Sequence, residues 1–280
     1  IPDQRLDTGH GHTPHGMMMQ IALTIAGSDS GGGAGIQADL KTFHQFGVHG
    51  TSVIVALTAQ NTRGVRSVHA VPAGMVQDQL AAVAEDLPPD AVKTGMLASA
   101  ALVRQVADAI HGYGWTRLVV DPVMVATSGD RLLEPDAEAV IREALLPLAA
   151  VVTPNLHEAA ILAQMEVNDE ASMEAAGRRI LGLGARAVLV KGGHLPGDVL
   201  VDVLVTSKGA QRYSHPRVAT TSTHGTGCTL SAAITAGLAL GHPLDKAVPT
   251  ALDYVHRALL AAPGLGGGHG PLDHGVPARE

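Results

Sequence analysis

Residues 223–240 read THGTGCTLSAAITAGLAL, and this stretch joins a glycine-rich turn to small apolar residues typical of a buried helix. Gly225 and Gly227 permit backbone angles that other residues avoid, so the amides from Gly225 to Cys228 can turn inward together. These amides would lie at the positive end of the helix, where a phosphate is stabilised. The stretch therefore predicts a rigid anion site. The simpler alternative is a glycine loop that precedes an ordinary core helix.

Composition limits the class of protein. The chain has 280 residues, 46% of them hydrophobic and only 2% aromatic, with a net charge of −7. This favours one large α/β domain and disfavours nucleic-acid binding, which relies on basic surfaces and stacking aromatics. No apolar run reaches the roughly 20 residues that a membrane span needs. The single cysteine, Cys228, excludes an internal disulfide and fits a reducing compartment, so we expect a soluble, cytoplasmic protein.

The two ends of the chain differ from its middle. Residues 1–16 contain His10, His12 and His15 among glycines and prolines, and they predict a disordered extension. Zinc binding by these histidines is the alternative, but no partner cysteine or helical spacing supports it. Residues 17–262 form the predicted single domain. The Gly/Pro/His-rich tail, residues 263–280, either folds over a sheet edge or is disordered.

Within the predicted domain, apolar runs alternate with helical patterns. Predicted strands cover residues 21–26, 51–60, 91–94, 117–121, 150–153 and 187–190. The first predicted helix ends at Phe46. The others cover residues 74–87, 99–112, 136–148, 173–184, 226–240 and 244–261. This alternation predicts a mostly parallel sheet with helices on both faces. Residues 199–205 and 210–214, joined by a short turn, predict an antiparallel hairpin at one edge.

Two common nucleotide-binding motifs do not explain the glycines. Residues 33–38 match the dinucleotide fingerprint G-x-G-x-x-A, but a long loop separates them from the preceding strand and no acid closes the next one. The pattern G-x-x-x-x-G-K-[ST] does not occur in the sequence. A Rossmann or Walker-type site is therefore disfavoured.

Polar residues follow the predicted strands repeatedly, and ligands of open parallel sheets bind at the carboxyl ends of strands. Taken singly, each such residue is explained as a helix cap or turn residue. Asn155 and Glu158 fit either a capping box or magnesium ligands. Lys191, beside two glycines, fits either a phosphate contact or a surface turn.

Seven motifs in order resemble one family. They are AGSD at 26–29, GGAGIQADLKT at 32–42, KTGML at 93–97, DPVM at 121–124, TPNLHEA at 153–159, VKGGH at 190–194 and THGTGCTLS at 223–231. Together they resemble the hydroxymethylpyrimidine/phosphomethylpyrimidine kinases of thiamine biosynthesis, in the ribokinase-like superfamily. The resemblance runs from about residue 21 to residue 255, and leaves out residues 1–16 and the tail.

The resemblance implies a three-layer α/β/α fold and Mg-ATP-dependent phosphorylation of 4-amino-5-hydroxymethyl-2-methylpyrimidine and then of its monophosphate. It also implies a homodimer. By matching positions, the implied pyrimidine site consists of Gly27, Ala34, Asp39, Gln60 and Met96. The implied nucleotide site consists of Asp121, Asn155 and Lys191, with Glu158 as magnesium ligand and Gly225, Thr226, Gly227 and Cys228 as the anion hole and catalytic turn.

Cys228 separates this chain from sugar kinases of the superfamily, which carry aspartate at that position. Its place at a helix amino terminus predicts a thiol pKa lowered from about 8.5 towards about 7, suited to a general base. The alternative is a small residue that fills a tight turn. Ser222 also departs from many relatives, which carry an acidic or amide residue there. A pyridoxal kinase and a catalytically idle binding protein of the same fold remain alternatives.

Overall fold

The computed structural model describes residues 19–124, 135–193 and 195–279. The strands are β1 (Ile21–Asp29), β2 (His49–Asn61), β3 (Gly64–Ala70), β4 (Ala91–Thr94), β5 (Leu118–Val120), β6 (Val151–Val152), β7 (Ala187–Val190), β8 (Val199–Thr206) and β9 (Gly209–Pro216). The α-helices are α1 (Gly35–Gln45), α2 (Ala73–Asp86), α3 (Ala100–Gly112), α4 (Pro135–Val140), α5 (Leu156–Ala163), α6 (Glu170–Leu181), α7 (Thr226–Ala239) and α8 (Leu244–Leu260). The predicted extension 1–16, its histidines and His194 lie outside the described residues.

The strands form one nine-stranded sheet in the order β3-β2-β1-β4-β5-β6-β7-β8-β9. The pairings from β2 through β1, β4, β5 and β6 to β7 are all parallel. The predicted edge hairpin is β8–β9, antiparallel to β7. The opposite edge carries β3, antiparallel to β2, which the sequence did not predict. Because most of β3 is exposed, its residues lack the apolar alternation that signals a strand.

Alternating side chains of the central strands enter two cores, one on each face of the sheet. Leu23 and Ile25 of β1 join a core that includes residues of α2, α3, α5 and α6. Ala22 points to the other face, where residues of α1, α7 and α8 form the second core. The predicted three-layer α/β/α arrangement is confirmed. It leaves the ends of the parallel strands as the open rim between the two helical layers.

Local signals set several helix ends. α5 begins at the predicted capping box, in which the side chains of Asn155 and Glu158 each accept the other residue's backbone N–H. The predicted helix 136–148 is not one α-helix, since α4 passes into a π-turn (Ile141–Leu145) and a 3₁₀ turn (Leu146–Leu148). Pro147 lies in that last turn and has no N–H with which to continue an α-helix.

α8 is the longest helix among the described residues, with 17 residues. It carries four charged side chains, Asp245, Lys246, Asp253 and Arg257. Within residues 19–124, 135–193 and 195–279, no helix has both the length and the apolar character to cross a membrane.

Candidate active site

The carboxyl ends of the parallel strands meet at one rim of the sheet, and the amino end of α7 lies across it. Asp29 ends β1, Thr94 ends β4 and Asp121 follows β5. Residues of α7 contact β1, β4 and β5. The backbones of Asn155 and Lys191 form a further parallel bridge beyond β6 and β7. Side chains that are far apart in sequence are thereby brought around the glycine turn.

The anion turn, residues 223–228, lies between the loop that contains Gly33 and a cluster of charged side chains that includes Lys191. Gly225 is the N-cap of α7 with a left-handed φ of +82°, and a Cβ there would collide with the carbonyl oxygen of Gly33. A Cβ on Gly227 would lie 3.2 Å from Nζ of Lys191. Amides in the first turn of a helix have no partner within the helix, so they are free to bind an anion. The turn therefore has a glycine loop at one end and a charged cluster at the other.

The charged cluster is centred on Asp121. Its Oδ1 lies 3.3 Å from Nζ of Lys191, and it accepts hydrogen bonds from Thr153 Oγ1 (3.4 Å) and Ser231 Oγ (3.2 Å). Burial alone would lower the pKa of Lys191, but the carboxylates of Asp121 and Glu158 outweigh it and raise that pKa. Lys191 is therefore a charged ammonium beside the anion turn.

Glu158 adds a second carboxylate to this cluster. It is buried, and this burial, reinforced by the charge of Asp121 and opposed by Lys191, raises its pKa to about 7. No group of three His, Cys, Asp or Glu side chains with metal-binding geometry occurs among the described residues. Mg²⁺ in kinases commonly takes only one or two carboxylates and completes its shell with phosphate oxygens and water. The carboxylates of Asp121 and Glu158 fit that donor set.

On the other side of the turn the surface is apolar. Gly27 and Met96 are in contact, since a Cβ on Gly27 would lie 2.6 Å from the Met96 methyl carbon. Ala34 packs beside Gly225. Gln60 is half-buried, with its Oε1 accepting from Thr58 Oγ1 at 3.1 Å and its Nε2 3.5 Å from Nε2 of His224 in the anion turn. Of the residues implied for a pyrimidine site, Gly27 and Met96 are thus in contact with each other, and Ala34 and Gln60 lie against the anion turn.

Asp39 occupies a different place from the one implied by the resemblance. Its carboxylate is fully buried, and both oxygens lie 2.7 Å from Nζ of Lys93, which is also fully buried. Thr24 Oγ1 donates a further hydrogen bond at 2.6 Å. Asp39 therefore lies behind Lys93 and does not line the pocket surface. Near Gly95, it is the Lys93 ammonium that approaches the rim.

The carboxylate of Asp29 organises the glycine loop, residues 30–35. It accepts hydrogen bonds from the amides of Gly31 (2.7 Å), Gly33 (3.0 Å) and Ala34 (2.8 Å). Its Oδ2 also lies 2.8 Å from Nε2 of His224 in the anion turn. One buried carboxylate thus ties the glycine loop to the anion turn.

Cys228 lies in the first turn of α7, and its thiol differs from the sequence-based expectation. Burial raises its pKa to about 11, the carboxylates of Asp39 and Asp121 add to this, and Lys93 and the amide of Gly35 oppose it. Cys228 is only partly exposed, and these contributions act against the thiolate expected near neutral pH, in the opposite direction to the helix amino terminus.

The tail folds back onto the rim at residues 269–271. The amide of His269 donates to the carbonyl of Thr62 at 2.7 Å, and the amide of His224 donates to that of Gly270 at 3.0 Å. His224 and Pro271 also form a parallel bridge. Of the two alternatives for this segment, the structure supports the folded one, and the tail forms part of the wall behind the anion turn.

The prediction of site residues gave no role to Lys93, Asp29 and His224, although Asp29 and Lys93 are among the polar residues at strand ends. A lysine inside a buried four-residue strand, AVKT, indicates a buried ion pair, because an unpaired charge there would be costly. Asp29, directly before a glycine loop, indicates a carboxylate that binds loop amides. His224 gave no local signal, because its partners lie far away in the sequence.

The sequence is similar to a family of kinases along most of its length. The sequence model of the phosphomethylpyrimidine kinase family matches residues 29–273. A hydroxymethylpyrimidine/phosphomethylpyrimidine kinase of Rhizobium meliloti is 55% identical over 92% of this chain and 97% of its own length. One of Bacillus subtilis is 46% identical over 92% of this chain and 96% of its own length. The match includes most of the tail, which the sequence-based resemblance had left out.

Solved structures agree with the fold. The pyridoxal kinase of Bacillus subtilis, in an ADP complex, superposes with a TM-score of 0.86 at 38% identity, covering 91% of this chain and 97% of that one. The phosphomethylpyrimidine kinase of Clostridium difficile superposes with a TM-score of 0.77 at 44% identity, covering 86% of this chain and 99% of that one.

Proposed function

The chain belongs to the phosphomethylpyrimidine kinase family, and on that premise we propose that it phosphorylates 4-amino-5-hydroxymethyl-2-methylpyrimidine and then its monophosphate with ATP. The product of the second transfer is the diphosphate, for thiamine biosynthesis. Relatives that bear both activities in their name are 55% and 46% identical to this chain.

One observation carries the proposal: a single turn separates an apolar surface from a charged one. Gly225 abuts Gly33 and Ala34, while Gly227 approaches Lys191 and Asp121. A flat apolar ring needs apolar surroundings and a polyphosphate needs charged ones. The two surfaces must adjoin, because phosphoryl transfer brings an oxygen of the ring's substituent up to the phosphorus of the polyphosphate. The anion turn lies where the transferred group would pass.

On the charged side, the protein supplies electrostatic stabilisation. Phosphoryl transfer places charge on the equatorial oxygens and requires little covalent chemistry from the enzyme. The first-turn amides of α7 and the ammonium of Lys191 are oriented before the substrate arrives, so they stabilise that charge without reorganisation. When bound, Mg²⁺ supplies neutralisation of the β- and γ-phosphates, and Glu158, Asp121 and Asn155 are the residues proposed to hold it.

On the apolar side, Gly27, Ala34 and Met96 form the proposed ring pocket. The missing side chain of Gly27 makes room for the Met96 methyl, whose thioether supplies a soft, polarisable surface. Gln60, which can both donate and accept, is proposed to bind the aminopyrimidine edge. Asp39 contributes by keeping Lys93 charged. Cys228, at the junction of the two sides, is proposed to face the hydroxymethyl group, and it can accept that group's proton only in its thiolate form, whose fraction rises with pH.

Pyridoxal is a second candidate substrate because pyridoxal kinases superpose closely. Their TM-scores of 0.86 exceed the 0.77 of the Clostridium difficile phosphomethylpyrimidine kinase, but their identities of 38% and 34% are below its 44%. Sequence identity bears more on pocket chemistry than backbone superposition does, so the pyrimidine is favoured.

The test supplies Mg-ATP with the hydroxymethylpyrimidine, its monophosphate, pyridoxal and ribose in parallel, and measures ADP and each phosphorylated product by mass spectrometry. We expect product from both pyrimidines, a slower reaction with pyridoxal and none with ribose. Faster turnover of pyridoxal would reverse the order of substrates. Absence of product from all four would favour a binding protein without catalytic activity.

We also propose a cytoplasmic homodimer. The reaction requires ATP and the chain has one cysteine, which both suit the cytoplasm. Leu57 and Val68, on β2 and β3, are each 48% exposed, one on each face of this edge hairpin, where a second copy would cover them. Sedimentation equilibrium tests the dimer, and a monomeric mass at micromolar concentration would contradict it.

A further inference from the structure

His274 lies in the tail, yet its side chain is inside the molecule. It is 6% exposed, and its Nε2 lies 3.0 Å from Oγ1 of Thr229, 45 residues earlier in the chain. Thr229 is fully buried in the second turn of α7. Nothing in the chemistry proposed for the site uses either residue, although they lie directly behind the anion turn.

The direction of this contact depends on the tautomer of His274. The hydroxyl of Thr229 has one hydrogen, and its shorter contact, 2.8 Å, is to the carbonyl oxygen of Gly225. We assign that hydrogen to the bond with Gly225, so that Oγ1 accepts from His274 and Nε2 carries the imidazole hydrogen. The carbonyl of Gly225 also accepts the Thr229 amide at 2.8 Å. A chain of hydrogen bonds thus runs from His274 through Thr229 to Gly225.

His274 is itself held in place. The hydroxyl of Tyr254 donates to its carbonyl oxygen at 3.0 Å, and Tyr254 is fully buried with its ring edge-on to Phe46. Burial lowers the pKa of the His274 imidazole to about 4; the charges of Lys41 and His224 act in the same direction, and Asp273 opposes them. The ring is thus neutral and keeps a single N–H, as the hydrogen-bond chain requires.

We propose that His274 is a positioning residue for the anion turn, acting through Thr229 on the carbonyl of Gly225. Gly225 is the left-handed residue of the turn, and rotation of its peptide re-aims the amides that follow it. A hydrogen bond to its carbonyl from a rigid support resists that rotation. The inference rests on the proposed kinase function for its kinetic consequence, but its structural consequence stands without that function.

The kinetic test compares His274→Leu, which removes the donor, with His274→Gln, which restores an N–H at a similar distance. Arg257→Gln is the matched control, since it removes the hydrogen bond from Arg257 to the Pro277 carbonyl (2.7 Å) and loosens the tail without touching His274. Each variant is assayed at the same interval below its own melting temperature. We expect His274→Leu to lower kcat about tenfold with an unchanged KM for the pyrimidine, equivalent to about 1.4 kcal/mol. His274→Gln should recover most of this loss, and Arg257→Gln should keep the wild-type kcat.

A double variant tests the route. If His274 acts through Thr229, then Thr229→Val with His274→Leu should be no slower than Thr229→Val alone. Additive losses would overturn the proposed route. Equal kcat in His274→Leu and wild type, or equal losses in His274→Leu and His274→Gln, would leave His274 a packing residue and overturn the proposal.

A measurement without substrate separates this proposal from the kinase function. Hydrogen exchange of the amides in residues 223–229 should be faster in His274→Leu than in wild type or His274→Gln. If wild type forms no product but this difference is present, the proposed function fails and the positioning role stands. If wild type is active and exchange is the same in all variants, only the positioning role fails.

Discussion

Oδ2 of Asp29 lies 2.8 Å from Nε2 of His224, although 195 residues separate them in the chain. The same carboxylate accepts the amides of Gly31, Gly33 and Ala34. This contact links the glycine loop to the anion turn, in addition to the packing of Gly225 against Gly33 and of α7 against β1. One buried acid thus bonds to both sides of this junction.

Asp29→Asn should therefore destabilise the protein, by about 1.5–3 kcal/mol, the range for hydrogen bonds to charged groups. Burial alone would raise the pKa of Asp29, but hydrogen bonds from His224, Ala34 and Gly31 outweigh it and lower that pKa. Because the folded pKa is depressed, the carboxylate adds stability above the unfolded pKa of about 3.9, and this is lost as pH falls through the folded value. Urea unfolding at pH 7 and pH 3 measures this. An equal difference in unfolding free energy between wild type and Asp29→Asn at both pH values would contradict this expectation. Asp253→Asn, at an exposed position, is the control.

Gln60→Ala should raise KM for the pyrimidine and leave KM for ATP unchanged. One lost hydrogen bond is worth about 0.5–1.5 kcal/mol, and more if the ring edge stays unpaired. Steady-state kinetics with each substrate varied in turn measures the effect. A rise confined to KM for ATP would mean that the pyrimidine pocket is misassigned.

Glu158→Gln should weaken the response to Mg²⁺ and lower turnover without unfolding α5. Glutamine at this position still completes the capping box, because its side-chain oxygen can accept the Asn155 amide that Glu158 Oε2 accepts at 2.8 Å. The measurement is turnover against Mg²⁺ concentration, with circular dichroism to follow the helix content. An unchanged magnesium titration would leave Glu158 with its capping role alone.

The same substitution should change how stability depends on pH. The folded pKa of Glu158 is raised from 4.5 to about 7, so its stabilising contribution is fully present below pH 4.5 and is lost as pH rises through about 7. Relative to Glu158→Gln, wild type should lose unfolding free energy between about pH 5 and pH 8. Parallel curves over that range would show that burial does not penalise this carboxylate.

Cys228 should behave as a thiol at neutral pH. With its pKa near 11, the thiolate fraction rises about tenfold per pH unit between pH 7 and pH 10, so inactivation by iodoacetamide should accelerate accordingly. If the thiolate is the base, turnover should rise over the same range, and Cys228→Ser should lose about 10²–10⁴-fold and the pH dependence with it. An active Cys228→Ser enzyme with the wild-type pH profile would exclude that role.

The layered fold was predictable because buried parallel strands are continuous apolar runs and helices repeat every 3.6 residues. β4 (Ala91–Thr94) was predicted with its observed bounds, since Gly95 and the acidic loop before it mark both ends. β3 was not, because an exposed edge strand has no apolar period. The site divides in the same way. Motif residues such as Lys191 and Asp121 could be assigned from a resemblance.

Which side chains contact each other could not be predicted from the resemblance. Asp39 and Lys93 are 54 residues apart, and only the crossover from α1 through β2 to β4 brings them together. Cys228 looked activated because a helix amino terminus is visible in sequence, whereas the nearby carboxylates of Asp39 and Asp121, which raise its pKa, are not. The tail has no hydrophobic period, but its backbone carbonyls and amides bond to Thr62 and His224.

The order in which the chain is synthesised gives the support of Thr229 by His274 another consequence. Translation proceeds from the amino terminus, so Thr229, directly after the anion turn, leaves the ribosome 45 residues before the imidazole that bonds to it. The sheet and α7 can assemble in the meantime, because their strands and partner helices precede the tail. A nascent chain would thus hold a nearly complete fold with an unbraced turn until residue 274 has emerged.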